Sequence, residues 1–221
     1  MNIFSAIEDN RYVEVERILR KHPTKVMAST TCGQLPLHFS LYNKASPDVI
    51  NMLLVAYPQA ANITDQDRCL PIHIALQKEA SLDIIKMLVE SYAEAVKIKN
   101  KDGDLPLHYA LNWEASPDVI KMLFVAYPQA AKIADQDGCL PLHIAKDRDA
   151  SADIITMLLN ANRKATKVHK YDSGYLPLHF TKKKPLIMSS NYYLKHILRL
   201  QRNKMALEGL PSIWHYSIRP H

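Results

Sequence analysis

Apolar and polar positions along this chain fall into an order that returns about every 35 residues. Behind the triplet Ser116-Pro117-Asp118, the residues Val119, Ile120, Met122, Leu123 and Ala126 recur at helical spacing, which predicts an amphipathic helix. Serine is a good N-cap, proline suits the first helical position, and Asp118 faces the positive end of the helix dipole. Pro128 closes the helix, because the residue before a proline is pushed out of the α region. A shorter apolar run, Leu107 to Leu111, starts one residue after Pro106 and ends at Asn112-Trp113-Glu114, which predicts a first, shorter helix. Asp135-Gln136-Asp137-Gly138 is a turn signal set between short extended pieces. Each unit therefore reads helix, loop, helix, turn.

The phrase Leu-Pro-(Leu/Ile)-His begins at Leu35, Leu70, Leu105, Leu140 and Leu176, with spacings of 35, 35, 35 and 36. Ser46-Pro47-Asp48, Ser81-Leu82-Asp83, Ser116-Pro117-Asp118 and Ser151-Ala152-Asp153 keep the same beat. Such a period marks a solenoid, in which no unit can bury its apolar face alone and stacked neighbours complete the core. Residues 45–76 resemble 115–146 more closely than either resembles the unit between them, which points to duplication of a two-unit block.

These residues resemble the ankyrin repeat, whose pattern D-x-x-G-x-T-P-L-H-x-A is matched from Asp135 through Gly138 and His143 to Ala145, with leucine for threonine. The resemblance spans roughly residues 1–205. It implies an all-α, ankyrin-type helical-repeat solenoid of about six units, two of them caps. The implied division is an N-terminal capping repeat over 1–30 and four central repeats over 31–171. A basic C-terminal capping repeat over 172–205 and a tail over 206–221 follow. In the family the motif histidine ties adjacent turns together. By resemblance His38, His73, His108, His143 and His179 are neutral, buried structural residues, and with no threonine hydroxyl they must lean on backbone groups.

The resemblance also implies a partner-binding concave surface, formed by turn tips and the ends of first helices. Its candidate residues are Gln77, Lys78, Lys101, Asp104, Asn112, Trp113, Asp147, Arg148, Tyr175, Lys183 and Lys184. Trp113 stands where other units carry Asn43, Lys78, Arg148 and Lys184, and reads either as an interface anchor or as local packing over the following loop. The expected function is a non-enzymatic protein–protein interaction module that binds a protein partner and acts as a monomer.

Composition narrows this further. The chain of 221 residues has 48% hydrophobic and 23% charged residues, which argues for a globular protein rather than a disordered one. Its three cysteines form no CxxC pair, no apolar run approaches a membrane span, and the N-terminus lacks a signal-peptide pattern. An intracellular location, cytoplasmic or nuclear rather than secreted, follows as the expectation. With five glycines, four in the repeat turns, no phosphate-cradling loop is available. No HExxH, GxSxG or kinase signature is present, so no enzyme, cofactor or metal is expected. Aspartates such as Asp65 and Asp135 read as turn residues that accept from their own backbone.

Charge is localised. Residues 161–221 carry twelve Lys/Arg against two acids, net +10, whereas residues 1–160 are net −4. The alternative function is therefore a regulatory protein whose basic C-terminal end binds nucleic acid, an acidic partner or an anionic membrane surface. The bland reading of the same charge is a solvated cap.

Overall fold

A computed structural model of the chain describes residues 2–162. The expected capping repeat 172–205, the tail, His179, Tyr175, Lys183 and Lys184 lie outside the described residues.

From α3 onward the helices start at the prolines and Ser-x-Asp triplets that the sequence marks. The first helices of successive units are α1 (Ile3–Glu8), α3 (Pro36–Tyr42), α5 (Pro71–Gln77), α7 (Pro106–Asn112) and α9 (Pro141–Asp147). The second helices are α2 (Tyr12–Lys21), α4 (Pro47–Ala56), α6 (Leu82–Ser91), α8 (Pro117–Ala126) and α10 (Ala152–Ala161). Proline opens four of the five first helices, where its missing N–H is harmless. The hydroxyls of Ser81 and Ser116 accept from the N–H groups of Ile84 and Val119, as N-caps do. No strand occurs among the described residues.

Successive first helices from α1 to α9 pack on one another and each on its own second helix, and the second helices form a parallel row. At seven residues, α3, α5, α7 and α9 are too short to persist alone, so their stability comes from this stacking. Small residues permit the approach: Ser40, Ala75, Ala110 and Ala145 occupy one position in four successive first helices and are all fully buried. Leu53, Leu88, Leu123 and Leu158 form the matching buried row in the second helices. Burying each such leucine contributes about 2 kcal/mol.

Two features go beyond the expected helix-loop-helix-turn. First, the segment after α2, α4, α6 and α8 is a 3-10 turn, at Pro23–Met27, Pro58–Asn62, Ala93–Lys97 and Pro128–Lys132. The last three of these turns bury a small apolar pair, Ala60-Ala61, Ala95-Val96 and Ala130-Ala131. Second, each first helix ends in a Schellman motif. In α3 Ala45 N–H donates to Ser40 C=O and Lys44 N–H to Leu41 C=O. The left-handed residue there is Asn10, Lys44, Glu79, Glu114 or Asp149, never glycine.

Candidate interaction surface

The recurring histidines are the joints of the array. The Leu35 N–H donates to His38 Nδ1 at 3.2 Å, and the same bond recurs from Leu70 to His73, Leu105 to His108 and Leu140 to His143. Each imidazole thus serves as glutamate does in a capping box, holding the N–H of the N-cap residue three positions back. Because Nδ1 accepts, the ring proton sits on Nε2. That group reaches the next turn: His38 Nε2 donates to Ile63 C=O at 3.0 Å and His108 Nε2 to Ile133 C=O at 3.1 Å. For His38 and His108 the backbone partners expected in place of threonine are present.

His73 departs from this. Its Nε2 faces the Ile98 carbonyl but completes no well-formed hydrogen bond, and the Tyr109 ring stands edge-on to it at 5.2 Å. Burial pushes His38, His73 and His108 down to about 4, against an ordinary value near 6.5. All three are neutral at pH 7.

The turn aspartates are equally local. Asp65 Oδ1 accepts from the N–H groups of Asp67 and Cys69, both at 2.9 Å. Asn100 Oδ1 does the same for Asp102 and Asp104, and Asp135 Oδ1 accepts from Cys139. This is the Asx-turn chemistry read from the sequence. Asn100, standing where its neighbours carry aspartate, also donates from Nδ2 to Tyr109 Oη at 3.1 Å.

Adjacent turn tips are tied by bonds spanning one repeat. Lys101 N–H donates to Asp67 C=O and Gln136 N–H to Asp102 C=O, each at 3.1 Å. Gln66 Nε2 reaches Thr31 C=O and Gln136 Nε2 reaches Lys101 C=O.

The candidate partner-binding residues divide on this frame. Lys101 and Asp147 are exposed, whereas Lys78, Asn112, Trp113 and Arg148 are half-buried. The Lys78 ammonium lies 4.9 Å from the centre of the Tyr42 ring in the preceding unit, a cation–π contact. Burial, reinforced by nearby Lys44, lowers the Lys78 pKa. Arg148 bridges two units, with Nη2 3.3 Å from Asn112 Oδ1 and Nη1 3.7 Å from Glu114 Oε1. Trp113 packs against the hydrophobic core.

Two residues expected at the surface are not there. Asp104 is 1% exposed and Gln77 is 7% exposed. Asp104 occupies the position of buried Cys69 and Cys139, drawn inward by the Asx turn on Asn100. Gln77 ends α5, which is packed on both α3 and α7. Glu114, absent from the sequence-based set, belongs with the surface through its contact with Arg148. Its left-handed backbone carries no sequence signal, because glycine is the usual mark of that conformation.

No group of three or more His, Cys, Asp or Glu side chains able to hold a metal ion occurs among the described residues. Nor is any described helix long and apolar enough to cross a membrane. No curated protein matches the chain. Residues 37–130 match the family model for ankyrin repeats in three copies, and the helical solenoid they form is an array of ankyrin repeats.

Proposed function

We propose that the chain is a non-enzymatic interaction module that holds one protein partner on the concave surface formed by its turn tips and first-helix ends. Ankyrin repeats are in general protein-interaction modules and in general not enzymes. One observation carries the finer reading. The capping histidine and the Schellman motif recur together in four successive units, three of them behind an Asx turn, while the side chains this frame presents change from unit to unit. The series Asn43, Lys78, Trp113, Arg148 shares one exposed or half-buried backbone position yet spans an amide, an amine, an indole and a guanidinium, the last three also held by contacts within the array. A rigid frame with variable outward groups supports selective binding, because the ordering entropy is already spent in folding.

The test is quantitative affinity capture from the native cell with the wild type and with the charge reversals Lys101→Glu and Asp147→Lys together. Both residues are exposed, and the melting temperature checks that the fold is retained. The expected result is loss of a defined set of captured proteins at an unchanged melting temperature. Capture of the same set by both proteins overturns the reading.

A further inference from the structure

The outer row of second helices carries its own regularity, and α2 breaks it. At the second residue of each later second helix stands an exposed aspartate: Asp48, Asp83, Asp118 and Asp153. In α2 that position is Val13, which is 74% exposed. A β-branched apolar residue there forgoes the carboxylate–dipole interaction that its equivalents make, and gains no burial. Next to it Tyr12 is 41% exposed, and across the interhelical gap Val55 of α4 is 74% exposed. The equivalents of Val55 in the next two units are Glu90 and Val125, and Val125 is 75% exposed.

Between α2 and α4 lies an open groove of about 450 Å³. Tyr12 and Met52 supply apolar lining, and Glu16, Arg20 and Asp48 supply its charges. Arg20 donates to Glu16 at 2.6 Å and so neutralises it. Asp48 is left as an exposed carboxylate beside apolar side chains, and the aspartate rail continues along α6, α8 and α10.

We infer that this groove docks a basic amphipathic helix of a protein partner. Its apolar side chains would lie among Tyr12, Met52 and Val55, and a Lys or Arg would pair with Asp48. Helix-in-groove recognition needs an apolar channel for residues spaced three and four apart and charge of opposite sign on the rim. Both are present. The site is on the second helices, separate from the turn tips and first-helix ends of the proposed concave surface.

The probe is a fluorescein-labelled 14-residue synthetic helix with leucine on one face and lysine on the other, read by fluorescence anisotropy against the full chain. Its counterpart has glutamate in place of lysine. The variant is Val13→Asp with Val55→Glu, both residues that other second helices already carry at these positions, so folding is preserved. This variant is more acidic than the wild type, and simple charge attraction would strengthen its binding of the lysine peptide. The expected result is at least tenfold weaker binding, no measurable binding of the glutamate peptide, and unchanged binding by the Lys101→Glu, Asp147→Lys protein. Equal binding by the Val13→Asp, Val55→Glu protein, equal binding of the two peptides, or no binding of the lysine peptide overturns the inference. So does a concentration-dependent dimer in sedimentation that the double substitution abolishes, since the groove would then be a self-association face.

Discussion

His108 Nε2 donates to the carbonyl of Ile133, 25 residues further along the chain and in the next turn, while Nδ1 of the same ring accepts from Leu105 N–H. One side chain thus fixes the start of its own helix and the position of its neighbour. His108→Ala leaves a buried N–H and a buried carbonyl without partners, a loss of about 3 kcal/mol. His73→Ala forfeits only the first of these bonds, since its Nε2 completes none. Urea unfolding is expected to show the larger loss at His108, by about 1 kcal/mol. Equal losses would mean that the link between units contributes nothing.

The same histidines set an acid limit. Their folded value of about 4 lies below the unfolded value near 6.5. Their contribution is complete above pH 6.5, and it is lost as pH falls toward 4, because the unfolded chain binds protons that the folded chain refuses. For rings this deeply buried the loss approaches about 3 kcal/mol each. Thermal melts between pH 7 and pH 4 are expected to fall steeply across this window, and to fall less steeply in a His38→Gln, His108→Gln protein. A flat profile would place these rings in water.

Glycine substitutions separate strain from collision. Gly103 and Gly138 both have positive φ, at 78° and 74°. A Cβ on Gly103 would meet the Gln136 backbone nitrogen at 2.8 Å, whereas one on Gly138 meets nothing within 4 Å. Gly138→Ala therefore costs about 1 kcal/mol from backbone strain alone, and Gly103→Ala costs clearly more. The converse change, Arg68→Gly, replaces a left-handed arginine at φ 56° and is expected to stabilise by about 1 kcal/mol. Chemical denaturation of the three variants checks the order.

Trp113 packs against the core with its indole nitrogen buried. Trp113→Ala is expected to lower stability by about 2 kcal/mol, with Trp113→Phe recovering more than half. Unchanged denaturation by both variants would return Trp113 to the free surface and to the role of an interface anchor.

What was legible from the sequence is what repeats with a chemical reason. Ser116-Pro117-Asp118 announces a helix start through cap, ring and dipole together, and His108 at a fixed beat announces a joint. The 3-10 turn at Pro128–Lys132 leaves no mark in the sequence, since five residues carry no periodicity of their own. The left-handed helix ends leave none either, because charged residues stand where glycine would give the signal. Depth was the other blind spot. Asp104 and Lys101 look alike as charged residues of one turn, yet the turn's own hydrogen bonds bury the first and leave the second in water.

The central claim is that each unit is a replaceable stacking element held by its neighbours. It is tested most directly by excising residues 71–105, so that Leu70 runs into Pro106 and one whole period is removed in register. Thermal unfolding followed by circular dichroism should show the same helix content per residue and one cooperative transition at a lower melting temperature. A chain without cooperative unfolding, or with its helix content collapsed, would contradict it.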